Sequence, residues 1–324
     1  MKARPARMIS ARSLLAVLLL SSAVTAFSQG APGGFGGPGG PGGRGGGFGG
    51  GATPPGPAAE VPAAVRMARP SAAEVAKVRA AVGKIALLKK YPGLVQVTVP
   101  APMSENTAIR PSLSNGFVMK HEQNLEVAKQ GDAELLFMGD SITDFWRNET
   151  GTNAGKPVQD KYFGKWKVAN YGIAGDTTQG VLYRLKDGEG KGINPKAIML
   201  MIGTNNTGRN SAGEIAEGVG AVVLELQKDF PNARILLLAI FPRGNPGDAA
   251  RATIADINKT IAKLDDGKKV FYRDIGSVFL EPDGTISRDI MADALHPTAA
   301  GYERWAKAVI DPITAMMNGK APAK

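Results

Sequence analysis

The chain has 324 residues, a formal net charge of +10 and no cysteine. The lack of cysteine excludes disulfides, thiolate metal sites, a cysteine nucleophile and a lipid-modified cysteine. Four of the positive charges are Lys2, Arg4, Arg7 and Arg12, leaving +6 on the remainder; these charges are scattered beside acids without a basic run, which describes a solvated surface rather than a nucleic-acid footprint.

The four basic residues precede an apolar run, Leu14 to Val24, and then Ala26-Phe27-Ser28. That order is the pattern of a secretory signal peptide covering residues 1–28, with cleavage near Ser28–Gln29. Its apolar part is too short to span a bilayer, so the expectation is export to the periplasm or the medium without stable membrane insertion. Residues 29–66 are rich in glycine, proline and alanine, and on composition they read as a disordered linker. Residues 67–114 read as a helical and irregular extension. Ser71 and Glu74 carry a capping-box spacing after Pro70, and the helix is expected to run to about Lys90. Val95–Val99 alternates weakly before Pro100 and Pro102 break the chain.

From Asn115 the pattern becomes regular, which predicts one domain over 115–318 and a short disordered tail, 319–324. A helix is expected around Lys120–Lys129, with His121 exposed on it among Lys120, Glu122 and Gln123. Apolar runs predict strands at Ala133–Met138, Lys167–Tyr171, Ala197–Ile202, Arg234–Ile240 and Val270–Asp274. Helical patterns lie between and after them, at Thr177–Leu185, Ser211–Asp229, Ala249–Leu264 and Thr298–Met317. Strands alternating with helices, apolar on both faces, imply a parallel sheet covered on both sides. Right-handed crossovers then bring every strand's C-terminal end to one edge of the sheet, where ligands are held.

Four stretches at that edge carry chemistry. The first strand runs into Gly139-Asp140-Ser141, the second into Gly172-Ile173-Ala174-Gly175-Asp176-Thr177-Thr178, and the third into Gly203-Thr204-Asn205-Asn206. The fourth is Asp293-Ala294-Leu295-His296, just before the last helix. Taken singly, each has a structural explanation: a helix cap at Asp140 or Ser141, a glycine turn, a turn asparagine, a capping aspartate. Taken together they supply a serine nucleophile, a histidine base with an aspartate three residues before it, and glycine N–H and asparagine side-chain donors. His296 is the better placed of only two histidines. The chain order Ser, Asp, His with Asp-x-x-His spacing, and no Gly-x-Ser-x-Gly, argues against an ordinary α/β-hydrolase elbow.

These four blocks resemble the signature blocks of the SGNH/GDSL hydrolases. Within that group the resemblance is nearest to the platelet-activating-factor acetylhydrolase alpha subunits and their bacterial esterase relatives. Val181-Leu182-Tyr183-Arg184-Leu185, Phe241-Pro242-Arg243-Gly244 and Asp283-Gly284-Thr285-Ile286-Ser287 add to it. The resemblance spans about Asn115 to Met317. It implies a flavodoxin-like three-layer α/β/α sandwich with a central parallel sheet and a serine esterase mechanism that uses no metal and no cofactor. Carried over, Ser141 is the nucleophile, His296 the general base and then acid, and Asp293 the residue that orients His296. The oxyanion hole would comprise the backbone N–H of Ser141 or Ile142, the N–H of Gly175, and the Asn205 side chain. Asp140 would support the turn.

The expected function is therefore that of an exported esterase removing short acyl groups, acetyl foremost, from an alcohol such as a carbohydrate ester. A phospholipid or lysophospholipid acylhydrolase is the second reading within the same chemistry. A non-catalytic surface carbohydrate-binding protein is the reading from another class, and the complete Ser141–Asp293–His296 set argues against it. The partner is a small-molecule or carbohydrate ester, not a nucleic acid.

Overall fold

The computed structural model describes residues 51–70, 72–82, 84 and 105–323. The signal segment, the glycine-rich stretch before residue 51, the Ser71 cap, the helix end near Lys90 and the Val95–Val99 run lie outside the described residues. The chain divides into two compact units, one of which joins residues 51–67 to 106–323. The other contains helix α1, Ala72–Val82.

The larger unit is built on five parallel strands: β1 (Leu135–Gly139), β2 (Val168–Asn170), β3 (Ala197–Met201), β4 (Arg234–Leu238) and β5 (Val270–Arg273). Their order across the sheet is 2-1-3-4-5, with β3 in the middle. This is the flavodoxin-like order, and its switch point lies between β1 and β3. Both strands are fully buried along their lengths, as expected of apolar runs covered on two faces. Alternation divides their side chains between the layers. Leu136, Met138, Ile198 and Leu200 join one core cluster, while Leu135, Phe137, Met199 and Met201 join the other.

The first cluster lies under α2 (Val118–Gln130), α5 (Thr178–Arg184), α6 (Ala212–Asp229) and α7 (Ala249–Ile261). The second lies under α4 (Lys156–Phe163) and α8 (Ala299–Met317), with the short turn α3 (Ser141–Asp144) at its upper end. Helix α6 begins with the expected capping box: Ser211 Oγ accepts the Glu214 N–H, and the Glu214 carboxylate accepts the Ser211 N–H at 2.8 Å. Thr298 caps α8 through the Gly301 N–H. Helices α3 and α4 have no counterpart among the predicted elements. Both are short, and α4 opens on Lys156-Pro157 in a polar stretch where helical periodicity barely develops.

Three expectations are corrected. Residues 51–66, expected as part of a disordered linker, instead run beside residues 109–113. The N–H groups of Thr53, Gly56 and Ala59 donate to the carbonyls of Leu113, Pro111 and Ile109, each at 2.8 Å. Val61 and Val65 enter the core, so the domain does not begin at residue 115. At the other end, Gly319, expected in a disordered tail, accepts a hydrogen bond from the Arg234 guanidinium at 2.7 Å through its carbonyl. In each case a few isolated contacts hold a segment whose composition carries no periodic signal.

The third correction is His121. Its ring is buried, with Nδ1 2.8 Å from Glu189 Oε1 and Nε2 2.9 Å from Asp187 Oδ2. Both acids sit on a single π-helical turn, Leu185–Glu189, that extends α5. Their polar neighbours in sequence concealed a burial that only this tertiary pairing creates. Burial alone would lower the His121 pKa, but the hydrogen bonds that its ring donates to Glu189 and Asp187 outweigh it and hold the pKa above the ordinary 6.5. The folded state therefore binds the proton more tightly than the unfolded chain. That stabilisation is complete below the ordinary pKa and is lost as pH rises through the raised one. Warming scans from about pH 6 to about pH 9 should show wild type losing more of its melting temperature than His121→Gln. Equal losses in the two proteins would remove His121 as the source.

Candidate active site

The switch point between β1 and β3 is where the candidate residues gather. Strand β1 ends at Gly139, and Asp140 caps the α3 turn with its side chain, accepting the Ile142 N–H at 3.0 Å. That bond is a correction for Ile142, whose N–H was expected, as the alternative to that of Ser141, beside Gly175 and Asn205 in the oxyanion hole: it is engaged by Asp140 Oδ1. The Ser141 N–H has no hydrogen-bond partner among the described residues, and it is the donor the geometry leaves for that role.

Ser141 is nearly buried, and its Oγ lies 2.9 Å from His296 Nε2. On the far side of the ring, Nδ1 is 2.6 Å from Asp293 Oδ2. With Nδ1–H donating to the carboxylate, the Nε2 lone pair faces the serine hydroxyl. Burial alone would raise the Asp293 carboxyl. The His296 N–H, the His296 ring and the Leu295 N–H reverse this and hold it below the ordinary carboxylate value. Asp293 therefore stays ionised at neutral pH and able to orient the imidazole.

The loop bearing His296 is fixed from several directions. Ala294 takes a left-handed conformation, φ 56°, which costs a non-glycine residue roughly 1 kcal/mol or more. Its carbonyl accepts the Gly244 N–H at 2.9 Å, from the loop after β4. Asn153 Nδ2 donates to the Pro297 carbonyl at 2.7 Å, and the Phe145 ring packs 5.1 Å from the imidazole. Tyr302, on α8, donates its hydroxyl to the Ile142 carbonyl at 2.8 Å. The helix that begins directly after the His296 loop thus braces the turn of Ser141.

The loop after β2 stands beside that turn. The Ile173 N–H donates to the Gly139 carbonyl, and the Ala174 N–H to Asp144 Oδ2. Arg147 joins the two segments, donating to Asp144 Oδ1 at 3.0 Å and to the Asn170 carbonyl at 2.8 Å. Gly175 adopts φ 87°, and an added Cβ would meet the Phe117 ring at 3.4 Å. Its N–H has no hydrogen-bond partner among the described residues. Left-handed backbone and an approaching ring together explain a glycine there.

The two asparagines after β3 separate cleanly. Asn206 is buried and spent on structure, accepting the Thr178 N–H and donating to Gln179 and Asn210. Asn205 is half-buried, and its Nδ2 makes one bond, to the Asp176 carbonyl at 2.8 Å. A second amide hydrogen is left for a ligand.

Asp140 is the buried carboxylate closest in sequence to Ser141. Burial pushes its pKa up to about 7; the Ile142 N–H opposes this, and the negative charge of Asp176 adds to it. Asp140 Oδ2 has no hydrogen-bond partner among the described residues. Sequence reasoning placed Asp140 as a turn residue but missed Phe117, Arg147, Phe145 and Tyr302. These reach the site by tertiary contact from elements with no signature of their own.

Residues 137–304 match the GDSL-like Lipase/Acylhydrolase family. Over 192 residues the chain is 33% identical to platelet-activating factor acetylhydrolase IB subunit alpha2 of Rattus norvegicus, covering 59% of this chain and 80% of that protein. It is 32% identical over 203 residues to platelet-activating factor acetylhydrolase IB subunit beta homolog of Drosophila melanogaster, covering 62% and 87% respectively. Among solved structures, an acetylxylan esterase from Geobacillus stearothermophilus aligns with a TM-score of 0.45 at 22% identity, over 56% of this chain and 94% of that one. With the match spanning the segments that hold Ser141 and His296, the chain belongs to the GDSL-like lipase/acylhydrolase family and is a carboxylic ester hydrolase.

Proposed function

We propose that the protein is an exported serine esterase that removes short acyl groups, acetyl foremost, from an alcohol such as a carbohydrate ester. The observation that carries the mechanism is the hydrogen-bonded line Ser141 Oγ, His296 ring, Asp293 carboxylate, at 2.9 and 2.6 Å. Ser141 Oγ attacks the ester carbonyl while His296 Nε2 takes the hydroxyl proton. Asp293 stabilises the imidazolium that forms. The Ser141 and Gly175 N–H groups and Asn205 Nδ2 receive the negative charge that develops on the carbonyl oxygen. Each such donor contributes about 3–4 kcal/mol in the transition state. His296 then protonates the departing alcohol. A water deprotonated by the same nitrogen hydrolyses the acyl-enzyme and regenerates Ser141.

Acetyl specificity is supported by the relatives in Rattus norvegicus and Drosophila melanogaster, both named acetylhydrolases. Export rests on the basic and apolar pattern of residues 1–28, and an exported enzyme meets envelope and plant polysaccharide esters. The same relatives' names favour a phospholipid as the second reading. Fractions of producing cells, assayed with p-nitrophenyl esters from acetate to palmitate, test both parts. Activity should appear in the periplasm or medium and fall steeply beyond short chains. A preference for long acyl groups would overturn the acetyl reading, and activity confined to the cytosol would overturn export.

A further inference from the structure

The loop that carries Gly175 rests on a buried ion pair that the acyl-transfer steps leave unused. Asp176 and Arg184 are both fully buried. Asp176 Oδ2 accepts from Arg184 Nε at 3.0 Å and lies 2.9 Å from Nη2, while Oδ1 accepts the Thr177 N–H at 2.8 Å. Its backbone is equally committed. The Asp176 N–H donates to the Ile173 carbonyl at 3.0 Å, and its own carbonyl accepts Asn205 Nδ2 at 2.8 Å. A single residue, anchored in the core by its side chain, thus shapes the Gly175 turn with one backbone group and aims the Asn205 amide with the other. Gly180 makes room for the anchor: a Cβ there would stand 1.9 Å from Asp176 Oδ1.

Arg184 is held from behind. Its Nη1 bonds Glu189, which also accepts Asn124 Nδ2 at 3.1 Å and meets His121 Nδ1 at 2.8 Å. Removing two ions from water commonly cancels their mutual attraction, so stability alone is a weak reason for a fully dry pair. Fixed donor geometry is a stronger one, because oxyanion donors act only if they need no reorganisation as charge develops.

We propose that Asp176 and Arg184 are positioning residues for the ester hydrolysis, holding the turn that presents the Gly175 N–H and the Asn205 amide in donor geometry. The proposal rests on reading Gly175 and Asn205 as the oxyanion donors. Loss of the Asp176 anchor frees its carbonyl to rotate, which releases Asn205 Nδ2, and loosens the Asp176 N–H bond to the Ile173 carbonyl that fixes the turn bearing Gly175.

The test is a double-mutant cycle on p-nitrophenyl acetate hydrolysis, each protein shown folded by circular dichroism. Asp176→Asn should lower kcat about 10- to 100-fold with KM within about 3-fold of wild type. Asn205→Ala should lower kcat about 100- to 1,000-fold. The double variant should fall less below Asn205→Ala than Asp176→Asn falls below wild type, because the Asn205 donor is already gone and only the Gly175 N–H is left to misplace. Arg184→Lys keeps the charge but not the two-pronged contact, and its kcat should fall between wild type and Asp176→Asn. If that variant does not fold, the Asp176–Asn205 cycle decides alone. Multiplicative losses in the double variant would overturn the proposal, as would an Asp176→Asn enzyme that loses melting temperature but keeps kcat. An Asn205→Ala enzyme with full kcat would overturn the oxyanion reading itself, and the positioning role with it.

Discussion

A Ser141→Ala enzyme is expected to hydrolyse p-nitrophenyl acetate with kcat roughly 10⁴- to 10⁶-fold below wild type and KM little changed. Alanine keeps the Cβ that packs at the nearly buried Ser141 position and removes only Oγ, so the turn and the substrate site should survive. What disappears is the atom 2.9 Å from His296 Nε2, and with it the covalent route. Residual catalysis would come from the oxyanion donors acting on water. Because serine and histidine work as one unit, Ser141→Ala/His296→Ala should be no more than about 3-fold slower than Ser141→Ala. Two losses that multiply would mean that His296 serves another nucleophile. Full activity in Ser141→Ala would end the serine-esterase reading. Steady-state kinetics of the three variants decide the matter.

The largest effect on stability is expected at Trp305. It is fully buried in α8, stacked on Tyr302 and met edge-on by Phe241 and Trp146 at ring separations of 4.9 and 5.1 Å. Trp305→Ala opens a cavity that the three neighbouring aromatic rings cannot refill by small rotations. Substitutions of this kind cost about 3–5 kcal/mol. The lower part of that range applies, because the Trp305 indole N–H is buried without a partner among the described residues and its loss removes a small existing penalty. A shift of roughly 6–16 °C in melting temperature follows for a domain of this size. Trp305→Phe should cost less than half as much. Because α8 also braces the Ser141 turn through Tyr302, Trp305→Ala should lose activity a few degrees below its own melting transition. A melting temperature within about 2 °C of wild type would show that the aromatic cluster repacks.

The sheet was legible because its strands are extreme: Leu135–Met138, Ala197–Met201 and Ile235–Leu238 are apolar without interruption, and a parallel sheet covered on both faces is the one common home for such runs. The site was legible for a related reason. Ser141, Gly175, Asn205 and His296 follow strands or precede a helix, and such ends carry turn residues whose identity shows. The structure brings Ser141, His296 and Asp293 within hydrogen-bonding reach of one another. What stayed hidden depends on contacts distant in sequence. His121 is surrounded by Lys120 and Glu122, yet it is buried by two acids 66 and 68 residues away. Ile142 could not be distinguished from Ser141 as a donor until the Asp140 side chain was seen to occupy one of them. Residues 51–66 have almost no periodicity, so nothing local announced that Val61 and Val65 reach the core.

That segment acts toward the rest of its domain as an intramolecular ligand. The chain leaves the domain at Met67 and re-enters at Asn106, so the segment docks at the cost of closing one loop, roughly 3 kcal/mol for about 40 residues. A free peptide would lose translational and rotational freedom on binding, which is commonly costlier. The docked ends also bond a buried carboxyl group: Glu217 accepts the Met67 N–H and the Asn106 amide, each at 2.8 Å. A chain begun where the regular pattern begins, at Asn115, would therefore lack more than an appendage. It would keep Glu217 while losing those two donors and the apolar cover that surrounds it, so the independent folding unit is the domain together with its own leading strand of chain.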